Sequence, residues 1–521
     1  MKIHLALVLT SFVTITSAAT CDSITAKSPT VKIVSAQLVS AGEFVAPSGP
    51  KAPIYKATPE FCRVQGVLTP TADSHIEFEV WMPTAGWNGK YLGIGNGGFA
   101  GSIGYTALAE AVANGYASAS TDTGHPQSGT DAAWALGHRE KMVDYGYRAI
   151  HLTAEAAKTI VMSFYGGAAK RSYFSSCSNG GRQALLEAQR YPADYDGIIA
   201  GAPANYFTHV AAGFVWNAQA LDGPGYIPAV KLKLIENAAL SACDAEDGVK
   251  DGVIDDPTKC HFDPSVLTCK GETNDNCLTE AQVAALKKIY SGPKTSKGEQ
   301  LIPGYEPGGE TGLGGWAAWI TGFQPGKSLQ LGFANGFLGQ MVEQDSSWDF
   351  RKMNLDRDMK VADDTGAQIF NATDPNLKAF KDRGGKLLLY HGWADAALQP
   401  VNTINYYERV VSEMGAKQAA QFVELFMVPG MQHCGGGPGP NDFGAMSPAP
   451  ADPDHSMMKA LERWVEQGKA PEKFIATKYK TDGTPSSGVV RTRPLCPYPM
   501  AAKYSGSGST DDAANFSCAA K

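Results

Sequence analysis

Three side chains in this sequence have the types and the chain order that acyl transfer requires. Ser178 lies in Ser176-Cys177-Ser178-Asn179-Gly180-Gly181, after a strand-like run and before a helix-like one. Small neighbours let a serine sit on a tight strand-to-helix turn with its hydroxyl exposed. The helix N-terminus behind it favours developing negative charge. A glycine-rich turn with a helix-capping serine looks the same locally, so the partners decide. Asp395 follows a late apolar strand in His391-Gly-Trp-Ala-Asp395-Ala-Ala, and His433 follows the next strand in Met431-Gln-His433-Cys434-Gly-Gly-Gly. Serine, then an orienting carboxylate, then a histidine as general base is one of the orders in which a nucleophilic triad occurs. The chain has only ten histidines, and His433 stands where that order asks for one.

The cysteines sharpen this reading. Cys177 immediately precedes Ser178, and Cys434 immediately follows His433. If hydroxyl and imidazole meet, their chain neighbours come close as well, and a disulfide needs Cα atoms about 4.4–6.8 Å apart. A Cys177–Cys434 bridge that clamps nucleophile to base is expected, against the alternative that both pair elsewhere. With Cys21, Cys62, Cys243, Cys260, Cys269, Cys277, Cys496 and Cys518 the count is ten. An even number in a secreted chain suggests five disulfides. No CxxC…CxxC zinc pattern occurs.

A further cluster is the acidic loop Cys243-Asp244-Ala-Glu-Asp247-Gly-Val249-Lys-Asp251-Gly-Val253-Ile-Asp255-Asp256. Oxygen ligands at short alternating intervals, with glycines for sharp turns, suit Ca²⁺. The loop is not an EF-hand, since the spacing fails and no glutamate closes it. A solvated acidic turn is the plain alternative. Cys243 and Cys260 bracket the segment, and a bridge between them would close it.

The elements that must position these groups alternate. Ile76–Trp81, Lys90–Ile94, Tyr116–Thr121, Arg171–Ser176 and Gly197–Ala202 read as strands, as do Lys386–His391 and Phe422–Val428. Leu152, Ala156, Ile160 and Phe164 recur every four residues and predict an amphipathic helix. Further helices are expected over 182–190, 402–412 and 457–467. Alternating strands and helices at both ends predict an α/β layered fold with a mostly parallel sheet. Between about 206 and 384 the alternation fails. That segment holds four cysteines, the acidic loop and many aromatics, and reads as an insertion, a lid over the sheet. Trp316, Trp319, Phe323, Phe333, Phe337, Trp348 and Phe350 lie in it. Some of these could line a pocket for a flat aromatic acid, but packing in the lid core is the simpler role for any single one.

Composition and compartment agree. Of 521 residues, 43% are hydrophobic and 19% charged, which excludes a disordered chain. The net charge is −7, and no Lys/Arg-rich run of nucleic-acid-binding type occurs. Lys2, the apolar run Ile3–Ile15 and the small residues Thr16-Ser-Ala-Ala19 describe a secretory signal peptide over 1–18. The apolar stretch is short of the ~20 residues that span a bilayer. A secreted, extracellular protein is expected. The sequons at Asn371 and Asn515 would accept N-glycans in a eukaryotic host.

The Cys-Ser-x-Gly-Gly turn, the His-Gly-x-x-Asp segment and the His-Cys-Gly end together resemble the tannase/feruloyl esterase family. Gly95-Asn-Gly-Gly98, Arg182-Gln183 and the stretch from Tyr191-Pro-Ala-Asp to Ala-Pro-Ala-Asn205 do so too. The likeness covers nearly the whole mature chain, and length and signal peptide look most like the secreted fungal B-type feruloyl esterases. The resemblance implies an α/β-hydrolase fold with a large inserted lid: a catalytic domain of 19–205 and 385–521 and a lid domain of 206–384. It implies a bridge between the cysteines flanking Ser178 and His433. It also implies a structural calcium site in the lid, with side chains of Asp244, Asp247 and Asp251 and carbonyls of Val249 and Val253. The oxyanion hole needs two N–H groups. Asn179, after the nucleophile, supplies one, and the 95–98 turn is similar to the glycine-rich turn of lipases that supplies the other, with Gly98 the chosen donor.

The implied activity is that of a serine esterase that cleaves hydroxycinnamoyl esters of plant cell-wall polysaccharide through an acyl-enzyme. Two alternatives remain open: a tannase acting on galloyl esters, and an inactive, calcium-stabilised carbohydrate-binding protein, which would show a broken triad.

Overall fold

The computed structural model describes residues 19–25, 28–47, 53–126, 129–445 and 452–520. The expected signal peptide, 1–18, lies outside these residues. The centre is a nine-stranded sheet of β1 (Val31–Val39), β2 (Phe61–Leu68), β3 (Ile76–Pro83), β4 (Lys90–Ile94), β5 (Ala117–Thr121), β6 (Arg171–Cys177), β7 (Gly197–Gly201), β8 (Lys386–Gly392) and β9 (Val423–Val428). Their order across the sheet is β1-β2-β3-β5-β4-β6-β7-β8-β9. From β5 through β9 all neighbours are parallel, whereas β1, β2 and β3 are joined to each other and to β5 antiparallel.

The sequence pattern explains why the parallel part holds. In β8, Leu387 and Leu389 face one core while Leu388 and Tyr390 face the other; in β9, Val423, Leu425 and Met427 oppose Phe426 and Val428. Strands buried on both faces read as continuous apolar runs. Helices Ala149–Tyr165, Asn179–Arg190 and Pro400–Met414 cover one face, through residues such as Val161, Leu185 and Val410. Helices Tyr105–Ala113 and Met457–Gln467 cover the other, through Leu108, Val112, Leu461 and Trp464.

Two features were not legible in the sequence. β1 and β2 carry polar residues: Arg63 and Gln65 of β2 bind Glu79 of β3, and β1 is a half-exposed edge strand. Beyond the last helix the chain forms two hairpins, β10 (Phe474–Tyr479) with β11 (Val489–Leu495) and β12 (Met500–Tyr504) with β13 (Phe516–Ala520). Between β7 and β8 the chain is helical and irregular. Part of it, including Ile235, Leu286 and Trp316, packs a core of its own. Another part, including Phe337 and Leu338, packs on Phe99, Trp134 and Tyr145.

Candidate active site

Every sheet-borne group of interest sits at the carboxyl ends of the parallel strands. Ser178 joins β6 to the helix Asn179–Arg190 with φ 66° and ψ −126°, a conformation that non-glycine residues seldom adopt. The surroundings hold it there. Its N–H donates to Gly201 O at 2.9 Å, and its carbonyl accepts from Arg182 N at 3.1 Å and Ala204 N at 3.2 Å. The glycines that follow are a packing requirement: a Cβ at Gly180 would collide with Ser176, and one at Gly181 with the carbonyl of Gly201. The elbow therefore seats directly on the end of β7.

Asp395 and His433 meet as the chain order predicts. His433 Nδ1 lies 2.8 Å from Asp395 Oδ2. Asp395 Oδ1 accepts from Ala397 N at 2.7 Å and Leu398 N at 2.9 Å. A second histidine, which sequence reasoning passed over, also reaches this carboxylate. His391 Nε2 lies 3.1 Å from Asp395 Oδ2, and its Nδ1 lies 2.7 Å from Thr403 Oγ1. An ionised carboxylate only accepts, so Nε2 is the donor to Asp395, and the threonine hydroxyl, which can donate or accept, holds Nδ1. The i, i+4 pairing in His391-Gly-Trp-Ala-Asp395 was the available signal. Burial opposes ionisation of Asp395, but the charge of His433 and the hydrogen bonds of both histidines outweigh it and hold the carboxyl well below its ordinary range. Ser178 and His433 line the same cavities.

The glycine-rich turn after β4 is tied to the elbow helix. Gln183 Oε1 accepts from Asn96 N at 2.9 Å, and Asn179 Nδ2 donates to Asn96 O at 3.1 Å. Gly98 has φ 54° and, with Asn179, borders the space beside Ser178. Tyr145 Oη donates to Gly98 O and lies 3.0 Å from Asn179 Oδ1. Under this layer lies Arg182, fully buried. It donates to Asn179 Oδ1 at 2.8 Å and to the carbonyls of Gly146 and Phe370 at 2.7 and 3.2 Å. Burial lowers its pKa, and the carbonyls and the rings of Tyr145 and Phe207 surround the guanidinium. One buried cation thus fixes the elbow, the segment at Tyr145–Gly146 and the segment before β8 to one another.

Two spaces open from Ser178. An open cleft of about 770 Å³ runs from Gly97, Gly98, Ser178 and His433 along the helix Tyr105–Ala113. On the other side is a small recess bordered by Phe207, Phe214, Trp319, Phe333, Phe337 and Leu398. Of the seven aromatics singled out between β7 and β8, Trp319, Phe333 and Phe337 line it, and the Trp319 ring stands edge-on to His433 at 5.2 Å. Trp316 is buried in the cluster around Ile235 and Leu286, Trp348 and Phe350 pack in the cluster around Phe99 and Tyr145, and Phe323 is 75% exposed. Phe207 and Phe214 lie on the helix Phe207–Ala220 just past the expected boundary at 205; their role had no sequence signal beyond apolar periodicity.

All ten cysteines are paired: Cys21–Cys62, Cys177–Cys434, Cys243–Cys260, Cys269–Cys277 and Cys496–Cys518. The bridge beside the site joins Cα atoms 5.9 Å apart across 257 residues of sequence. In the acidic loop, Asp244 accepts from Asp251 N and Gly252 N, Asp247 from Val249 N, and Asp251 from Val253 N. Asp251 Oδ2 also pairs with Arg491 at 3.0 Å and with Arg493, both on β11. The loop's carboxylates turn to its own amides and to these arginines. Its donor set nonetheless fits a hard cation: oxygen only, with Asp247 raised by burial and by the charges of Asp251 and Asp244, and Asp251 raised by burial and by the charge of Asp244 against the pull of Arg491 and Arg493. The two sequon amides are engaged: Asn371 Nδ2 donates to Thr208 Oγ1 at 3.0 Å and Asn515 Nδ2 to Ser509 O at 2.9 Å.

A serine on a strained strand-to-helix turn, a histidine held by a buried acid and a sheet of this order define an α/β-hydrolase acting on carboxylic esters. The pattern described as tannase and feruloyl esterase matches residues 62–519, and the chain belongs to that family. An esterase of Xanthomonas campestris pv. campestris is 44% identical over 530 residues, covering 96% of this chain and 91% of its own length. The mono(2-hydroxyethyl) terephthalate hydrolase of Piscinibacter sakaiensis is 35% identical, with 89% and 85% covered. The crystal structure of feruloyl esterase B from Aspergillus oryzae superposes with a TM-score of 0.86 at 28% identity, over 95% of this chain and 98% of that one.

Proposed function

We propose that this chain is a secreted serine esterase that releases hydroxycinnamic acids from their esters with plant cell-wall polysaccharides such as arabinoxylan. Ser178 attacks the ester carbonyl while His433 takes its proton and returns it to the leaving alcohol. Asp395 holds the imidazole and stabilises its cation. The N–H groups of Asn179 and Gly98 take the oxyanion. Water then hydrolyses the acyl-enzyme by the same route. Secretion is supported by the N-terminal pattern and by five disulfides, which persist in oxidising compartments.

The observation that carries the acyl assignment is the recess beside Ser178. It is small and lined mainly by aromatic and aliphatic side chains, and among the described residues the one ionisable side chain in its walls is His433. Such walls accept a cinnamoyl ring. They leave a second carboxylate, as on a terephthalate, without a cationic partner. The three hydroxyls of a galloyl group would lose water there without replacement, at about 1–3 kcal/mol each. The test is a panel of methyl ferulate, caffeate, sinapate and gallate. The expected result is a higher kcat/KM for methyl ferulate than for methyl gallate. Ser178→Ala should lower kcat about 10^4- to 10^6-fold with the fold intact. Gallate as the best substrate would overturn the acyl assignment, and a largely active Ser178→Ala protein the nucleophile.

The acidic loop is proposed to hold Ca²⁺ through the side chains of Asp244, Asp247 and Asp251 and the carbonyls of Val249 and Val253. The ion would supply structural cross-linking of the loop and no chemistry at Ser178.

A further inference from the structure

The open cleft is lined by a carboxylate that the chemistry above does not use. Thr106, Glu110 and Asn114 follow one another at four-residue spacing and line the cleft from one face of the helix Tyr105–Ala113 and its cap. Tyr55 stands over the same stretch, its Oη 3.0 Å from Thr106 Oγ1. Asn114 Nδ2 is turned to the backbone carbonyl of Glu110 at 2.8 Å. Across the cleft, Lys459 is committed to Glu462 at 3.0 Å and to Tyr116 Oη at 3.2 Å. The Glu110 carboxylate itself has no hydrogen bond or ion pair among the described residues. It is half-buried, and burial raises its pKa.

Water in the open cleft can serve the Glu110 carboxylate, and a ligand lying there can replace that water with donors of its own. Ionised glutamate only accepts, so the ligand must bring O–H or N–H groups. The position of the cleft limits which part of an ester this is. His433 delivers its proton to the leaving oxygen, and the cleft starts at His433 and Ser178. The recess on the other side is small and lined mainly by apolar side chains, so an alcohol rich in hydroxyls is better served in the cleft.

Resting on the esterase reading above, we propose that Glu110 is a specificity-determining residue of a leaving-group subsite, where its carboxylate accepts hydrogen bonds from the hydroxyls of a sugar alcohol and Tyr55 flanks the ring. The residue makes the enzyme prefer glycosyl esters over simple alkyl esters of the same acid. It takes no part in bond making or breaking.

The experiment compares two esters that share an acyl group and differ in the alcohol: methyl ferulate and a feruloyl arabinoside. Hydrogen bonds to a charged acceptor are strong enough that Glu110→Ala should lower the ratio of kcat/KM, glycosyl over methyl, roughly tenfold or more. Glu110→Gln, which keeps the volume and one accepting oxygen, should fall between the two. An unchanged ratio in both variants, or an equal loss on both esters, would overturn the proposal. If the wild-type enzyme cleaves neither feruloyl ester, the acyl assignment has failed instead. The same pair is then built on the acyl group that the panel selects, and the ratio is read on it. Melting curves of both variants separate a folding defect from the subsite effect.

Discussion

Asp395 carries more than the usual burden for an orienting carboxylate, because both histidines bond to one oxygen, Oδ2. His391 is buried and is itself fixed by Thr403, so it serves as a positioning residue that keeps Asp395 ionised and aimed at His433. His391→Ala removes that donor and leaves a cavity. The expected result is a fall in kcat of about 10- to 100-fold with little change in KM. His391→Gln, which returns a donor at about the same reach, should recover part of the loss. Acid stability gives an independent readout. A carboxyl held low in the folded state contributes stability that is present above the unfolded carboxyl range, about 4, and is lost as the pH falls through the lower folded value. Weakening the hold on Asp395 should therefore move acid unfolding to higher pH. Alanine and glutamine variants with identical kinetics would show that the hydrogen bond is not the cause.

At the scale of elements, the site is two turns stapled together. One turn follows β6 and the other follows β9, and the bridge Cys177–Cys434 joins them. Both turns are strained next to the bridge: Ser178 has φ 66° and Cys434 has φ 63°. Neither backbone prefers that region, so the covalent link and the packing around it hold the two turns, and with them Ser178 and His433, at the same cavities. Changing both cysteines to alanine should lower kcat more than it changes KM, since a displacement of about 1 Å costs roughly 100-fold. Stability should fall as well. Steady-state kinetics with a melting curve checks both, and a doubly substituted enzyme with wild-type kcat would rule out the clamp as a positioning device. This bridge was legible in the sequence because both cysteines adjoin residues whose chemistry already required contact. The strands β8 and β9 were legible because each is buried on both faces and reads as an apolar run, and β6, with Tyr173 and Phe174 at its centre, was legible by its place before the Ser178 turn. β1 and β2 were not, since their side chains meet solvent or pair polar groups across strands. His391 was missed because a histidine inside a buried strand gives no sign of whether it serves packing or a carboxylate four residues on. Nor could the sequence tell which lid aromatics face Ser178, as Trp316 and Trp319 share a four-residue helix yet only Trp319 borders the recess.

For the whole molecule, the question is how the long segment between β7 and β8 stays in register with a site built on the sheet. Arg182 binds the carbonyl of Phe370, Gln432 binds the Thr311 carbonyl and the Gly314 amide, and Asp251 meets Arg491 and Arg493 of β11. The first two contacts reach the elbow and the neighbour of His433, so they bear on geometry at the reacting atoms. The third lies in the acidic loop, which the Cys243–Cys260 bridge closes, and bears on stability. Calcium there would act on the same contact. An ion that binds only the folded state stabilises it by mass action, about 2.7 kcal/mol when free calcium is a hundred times its Kd. Removing it with a chelator should lower Tm by several degrees, and added Ca²⁺, but not added K⁺, should restore it. Asp244→Asn should reduce that response, because it removes a charged oxygen donor from the loop. Turnover measured well below Tm should change far less than Tm does, since no group of the loop lines either space at Ser178. A Tm indifferent to chelation, together with elemental analysis showing no metal in the purified protein, would defeat the calcium assignment and leave the paired arginines as the partners of Asp251.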